Sequence, residues 1–161
     1  MPITSKPQTQ TLRAGATTVT LTDAADLRYF TVAGREAIRR VYAAVRAADW
    51  FTVPCAITVR ESTIGDGSFR VIHDAHYFHE GRGIDFRAVI AVTGSADGTM
   101  TFDFDGEAFS EFERARIGIC VLHPSDAQGA PVTVTHTDGT SESGNLPGTI
   151  SPHQPFFDIA A

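Results

Sequence analysis

The sequence predicts an all-β protein, an antiparallel β-sandwich of about nine short strands, and three observations carry that expectation. Segments that alternate apolar and polar residues recur along the chain, as in Thr17-Thr-Val-Thr-Leu-Thr22 and Thr99-Met-Thr-Phe-Asp-Phe-Asp105, which is the period-two signature of half-buried strands. Asp-Gly turn signals punctuate them at 66–67, 97–98, 105–106 and 138–139. One run, Ile117-Gly-Ile-Cys-Val-Leu122, carries no polar side chain and stops at His123-Pro124. A short, β-branched, uninterrupted apolar run reads as a strand buried on both faces, and so as the centre of the core.

Taken in order, residues 1–16 read as a flexible N-terminal segment, polar and Pro-containing over the first ten. Residues 17–161 read as one β-sandwich domain. Thr17–Thr22 is the first strand, the turn Asp23–Asp26 follows, and Leu27–Val32 is the second strand, closed by Ala33-Gly34. Arg35–Trp50 is ambiguous. Ile38, Val41, Tyr42 and Val45 fall at helical spacing, while Val41, Ala43 and Val45 also alternate with period two.

Beyond Val53-Pro54, Cys55–Glu61 alternates with Ile57 and Val59 on one face. Gly65–Gly67 turns the chain into Ser68–His76, and Glu80–Gly83 forms a loop. Ile84–Val92 and Thr99–Asp105 make a hairpin about Ala96-Asp-Gly98, with Phe86, Ala88, Ile90 and Val92 alternating against Asp85 and Arg87 in the first strand and Met100, Phe102 and Phe104 facing inward in the second. Glu107–Arg114 is an irregular or helical connection anchored by Phe109 and Phe112. The apolar run comes next, then a strand and turn over Pro131–Thr140, and an apolar tail with Phe156, Phe157 and Ile159.

Length and composition bound the function. A chain of 161 residues, 42% hydrophobic and 20% charged, can bury a core without disulfides or a structural metal. A net charge of −6 argues against nucleic acid or an anionic membrane as partner. The main basic cluster, Arg35, Arg39, Arg40 and Arg46, is interrupted by Glu36 and apolar residues. No segment has the roughly 20 apolar residues of a membrane span, and Met1–Gln10 lacks the apolar core of a signal peptide. Cys55 and Cys120 lie in apolar runs and read as small buried hydrophobes in a reducing cytoplasm rather than as a disulfide or a catalytic thiol.

Several constellations contain chemically capable residues. His73, His76 and His79 have the composition of a metal site, but in a strand a spacing of three sends alternate histidines to opposite faces, so no metal or cofactor is expected. Ser110, Asp103 and His123 contain the residue types of a nucleophilic triad without a nucleophile-elbow motif. The acidic stretch Asp103, Asp105, Glu107, Glu111 and Glu113 reads as a solvated face rather than as paired catalytic carboxylates. The stronger candidates for a ligand or interdomain contact are Arg116 and His123, which bracket the apolar run, and His153 and Gln154, which sit between two prolines.

The chain also resembles the N-terminal domain of the D-apionate lactonase family. The resemblance rests on Leu27-Arg-Tyr-Phe30, Arg39–Pro54, Ile84-Asp-Phe-Arg87 with Gly94–Gly98, Arg114–Pro124 and Ile150-Ser-Pro-His-Gln-Pro-Phe156. It resolves residues 35–50 in favour of a strand. It implies a β-sandwich ahead of a (β/α)-barrel in a cytoplasmic hydrolase that opens the lactone of a branched sugar acid. Barrel enzymes carry their active sites on the barrel's own loops, so the chain is expected to be a fragment without catalytic residues. Its expected partners are a barrel catalytic domain, in cis or in trans, and a sugar acid or lactone. A free-standing carbohydrate-binding or interaction module is the alternative, followed by a small lactonase with His123 or His153 as general base.

Overall fold

The computed structural model describes residues 9–149 and 156–160. β1 (Gln10–Ala14), β2 (Thr17–Leu21), β3 (Leu27–Val32), β4 (Arg35–Ala47) and β9 (Arg114–Leu122) form a five-stranded sheet in the order β1-β2-β3-β4-β9. β5 (Cys55–Ile64), β6 (Phe69–His79), β7 (Ile84–Gly94) and β8 (Met100–Ala108) form a four-stranded meander. β10 (Pro131–Thr135) and β11 (Ser141–Asn145) pair with each other in a separate sheet. Every pairing is antiparallel. The fold is all-β, as the sequence predicts. The ambiguous segment is strand β4, which pairs with β3 and β9 along its length.

The chain divides into two compact units, Met1–Leu122 and His123–Ala161. Strands β1 to β9 lie in the first unit, and the β10–β11 hairpin lies in the second. The first unit also contains a strand the sequence reading did not foresee. β1 is rich in Thr, Gln and Arg, yet Leu12 and Ala14 alternate inward and lie fully buried against β2.

The core lies between the two sheets of the first unit. β1, β2, β3 and β4 contribute Leu12, Val19, Leu27, Val41 and Val45, and β6 and β7 contribute Val71, Tyr77, Phe86, Ile90 and Val92. Each fully buried aliphatic side chain of this kind stabilises by about 1.5–3 kcal/mol. β6 and β7 alternate almost perfectly between buried and exposed positions, so the meander's central strands are the core's strongest wall.

The run Ile117–Leu122 does not occupy the centre. It forms most of β9, which among the described residues is an edge strand with β4 as its single neighbour, and Ile119 and Val121 are 47% and 49% exposed. Only Ile117, opposite the buried Val45, packs on the core. An apolar run records what a strand could bury. Its place in the sheet decides what it does bury.

Antiparallel order sends the connections to two ends of the sandwich. At one end Gly15 donates its N–H to Gly67 O (3.0 Å), and a Cβ on Gly15 would stand 2.5 Å from Ala96 O. Three hairpin turns therefore meet there at backbone distance. At the other end lie the β4–β5 connection, the β6–β7 turn with its 3-10 segment Glu80–Arg82, and the β8–β9 connection.

In the second unit, β10 and β11 join through a turn in which Asp138 Oδ1 accepts from Thr140 N (2.9 Å) and Thr140 Oγ1 (2.7 Å). The apolar tail runs beside β10. Ile159 bridges His136, and Ala160 N donates to Thr135 O at 2.7 Å.

Candidate functional site

The outward face of β4 carries Arg40, Tyr42, Ala44 and Arg46, because its inward positions are taken by Val41, Ala43 and Val45. Register then sets arginine against arginine twice. Arg40 lies opposite Arg28 on β3, and Arg46 lies opposite Arg116 on β9. Like charges directly opposite one another in a sheet are destabilising.

The two pairs are handled differently. Between Arg28 and Arg40 stands Asp26, a buried carboxylate that accepts from Arg40 Nε at 2.8 Å and also from Arg40 Nη2, with Arg28 Nε at 3.9 Å. Burial pushes the Asp26 carboxyl up from its ordinary range, against the pull of both guanidinium groups. Arg46 instead donates to neutral oxygens, Thr52 Oγ1 at 2.8 Å and Tyr42 Oη at 3.5 Å.

Trp50 stands beside this second pair. It belongs to the β4–β5 connection, is 48% exposed, and has the Arg116 guanidinium 5.4 Å from its ring centroid. Its backbone is left-handed, at φ 67°, a conformation that is unfavourable for a bulky residue. Its neighbours hold it there. Trp50 N donates to Ala47 O (2.8 Å), and Ala47 N donates to Phe51 O (2.9 Å). Asp49 Oδ1 accepts from Phe51 N (3.2 Å) and Arg82 Nη1 (3.0 Å), and the Arg82 hydrogen bond holds the Asp49 carboxyl below its usual range. Phe51 in turn lies between the Arg82 guanidinium at 4.3 Å and the edge of His79 at 5.2 Å.

Between the arginines Gly118 lies opposite Ala44, which is buried. Tyr42, Arg46 and the Trp50 ring with the Arg116 guanidinium beside it lie along this part of the β4–β9 pair.

The other constellations separate. His73 is 2% exposed within the core, and His76 faces outward and pairs through Nε2 with Asp85 Oδ1 at 2.9 Å. His79 packs on Phe51. Among the described residues, no group of three His, Cys, Asp or Glu could hold a metal ion. Ser110 Oγ accepts the Asp85 N–H at 2.9 Å, while Asp103 lies on β8 opposite Ala91. Asp85 also binds Arg87, whose guanidinium covers Phe109 at 4.5 Å, so Phe109 anchors the surface and Phe112 anchors the core. Both cysteines are free. The Cys55 residue is exposed, yet its thiol turns toward Tyr77, and burial there pushes its pKa up to about 11.

Of the residues singled out in the sequence, Arg116 lies on β9 beside Trp50. His123 follows Leu122, the last residue of β9, and opens the second unit. His153 and Gln154 lie outside the described residues. Sequence reading missed Trp50, Tyr42 and the facing of Arg46 on Arg116. Arg46 had been visible as one member of a basic cluster, but its apposition to Arg116 exists only through the β4–β9 register.

Comparison with known proteins gives this geometry a family. Residues 3–161 match the family model of the D-apionate lactonase N-terminal domain. A D-apionate lactonase of Brucella anthropi is 36% identical over 152 residues, which cover 93% of this chain and 24% of that protein. The chain thus spans about a quarter of the length of the curated relative it matches. No solved structure matches. By the match along almost its whole length, the chain belongs to the family of D-apionate lactonase N-terminal domains.

Proposed function

We propose that this chain is the non-catalytic β-sandwich module of a sugar-lactone hydrolase, working with a catalytic domain supplied by the rest of a longer protein or by a separate chain. One observation carries the reading. The match runs along nearly the whole chain but takes up 24% of the related lactonase, leaving about three quarters of that protein for the catalytic machinery. The groups that could act as nucleophile or base in the sandwich support it, because they are engaged structurally. Ser110 holds the Asp85 backbone, His76 pairs with Asp85, and His73 is sealed in the core. The two free thiols accord with work in the cytoplasm.

A domain exchange tests the proposal. Replacing the matching region of the Brucella anthropi lactonase by this chain is expected to give a chimera that still hydrolyses the lactone, whereas the 161-residue chain alone does not. Turnover of the lactone by the isolated chain would overturn the assignment.

A further inference from the structure

The inner face of the β5–β8 meander lines the core, and its outer face carries charged side chains in register across the four strands. Arg60, Arg70 and Arg87 are each taken up within that outer face, by Asp74, Glu61 and Asp85. On β8, Asp103, Asp105 and Glu107 are exposed and form no ion pair among the described residues. The face therefore keeps a surplus of negative charge along one strand. At one end of it stands an apolar row. Phe78 lies opposite Asp85 in the β6–β7 ladder, and Phe109 extends the β7–β8 ladder by donating its N–H to Asp85 O at 2.8 Å. Two phenylalanines thus flank one residue, about 10 Å apart at the spacing of neighbouring strands, and they are 48% and 56% exposed. The His76 ring lies 5.4 Å from that of Phe78, and the Arg87 guanidinium lies 4.5 Å from that of Phe109, so neighbours hold both rings at the surface. A single exposed apolar residue is ordinary. A supported aromatic row beside an arginine has the composition of an interface.

We infer that this outer face of the meander is the docking surface for the catalytic domain, with Phe78 and Phe109 entering apolar recesses and the β8 carboxylates meeting basic groups of that domain. The occupant follows from the reading of the chain as a module of a longer lactonase, since about three quarters of the related protein lies outside the matched region. Charge decides against a second copy. A two-fold contact sets a face against itself, and here it would bring surplus carboxylates toward surplus carboxylates, which repel. Size agrees with a stable contact. Four strands of this length span about 19 Å by 30 Å, on the order of the roughly 800 Å² that each partner contributes to a standard interface.

Hydroxyl-radical footprinting read by mass spectrometry tests the assignment by comparing the 161-residue chain with the domain-exchange chimera. Phe78 and Phe109 should be oxidised about tenfold more slowly in the chimera, the effect of a tenfold preference for the docked state. Tyr29, exposed on β3 of the other sheet, should react equally in both. Phe30 and Phe86 are buried and should stay protected in both, which reports in the same spectra that the sandwich is folded. Asp103→Lys combined with Asp105→Lys, at exposed positions, should return both rings to the rate of the isolated chain and leave that chain's urea midpoint unchanged. Equal oxidation of Phe78 and Phe109 in chain and chimera, or protection that survives the charge reversal, would overturn the docking face. Protection that appears in the isolated chain as its concentration rises would give the face to a second copy and overturn it as well. Turnover by the chimera is read separately. An active chimera with both rings reactive removes the docking face and leaves the module reading standing, whereas protected rings in an inactive chimera do the reverse.

Discussion

At the scale of single residues, Trp50 combines a left-handed backbone with a half-exposed side chain. A left-handed L-residue costs about 1–2 kcal/mol, and this one buries only half its ring. Glycine removes that cost, but it also loses the Arg116 contact, worth about 0.5–1 kcal/mol at an exposed site, and frees the unfolded chain by a similar amount. Trp50→Gly is therefore expected to change unfolding stability by no more than about 1 kcal/mol in either direction, measured by urea denaturation. A loss of several kcal/mol would make Trp50 a packing residue instead. None of this is legible from the sequence, where Ala48-Asp-Trp50 reads as an ordinary strand end. The φ of Trp50 and the apposition of Arg46 and Arg116 are products of register, which a single chain of letters does not state.

At the scale of elements, the alternation of apolar residues was readable wherever a strand has one wet and one dry face. β2, β7 and β8 follow it closely. β4 carried two periods at once, because alanine and arginine serve either structure, and its pairing with β3 and β9 rather than propensity makes it a strand. β9 misled for the opposite reason. Its composition is that of a central strand, but its place at the sheet edge leaves Ile119 and Val121 exposed. Cross-strand packing also explains a glycine that no turn requires. Gly94 pairs with Phe69, whose ring lies over it, and a Cβ there would collide with that ring and stand 2.8 Å from the Ala14 Cβ. Gly94→Ala should cost about 1–3 kcal/mol through overpacking. Gly65→Ala, with its nearest neighbouring atom at 3.5 Å, should stay within about 0.5 kcal/mol. Urea midpoints of the two variants separate the cases; equal values would show that the Phe69 ring moves aside freely.

At the scale of the whole molecule, the all-β class was legible because it is written many times over, in each alternating segment and in the Asp-Gly turns at 66–67, 97–98 and 138–139. The turn expected at Asp105-Gly106 is instead continuous strand within β8, paired to Val89 and Ala88 of β7. The division at Leu122 was not legible, since His123-Pro124 marks a strand end equally well within one domain or between two units. The response of the whole chain to pH depends on groups scattered through it. Burial depresses the pKa of His73 in the core. A histidine with a depressed folded pKa contributes stability that is complete above its unfolded value of about 6.5 and is lost as pH falls below it. Asp49, Asp85, Asp97 and Asp138 are held low mainly by hydrogen bonds from Arg82, Arg87, Ser95 and Thr140. Their contribution is complete above the unfolded value of about 3.9 and is lost below it. Asp26, raised by burial, acts in the opposite sense and offsets part of the acid loss. Urea midpoints followed from about pH 8 to 3 should therefore hold level, descend first below about 6.5 and descend again below about 4. His73 Nδ1 has no hydrogen-bond partner, while the ring does hydrogen-bond the Ile90 backbone, so His73→Leu removes one unsatisfied buried nitrogen at the cost of one backbone contact. That variant should lie within about 1–2 kcal/mol of the parent at neutral pH and should lack the first descent while keeping the second. If it still weakens between about pH 7 and 5, the upper transition belongs to a group other than the core histidine.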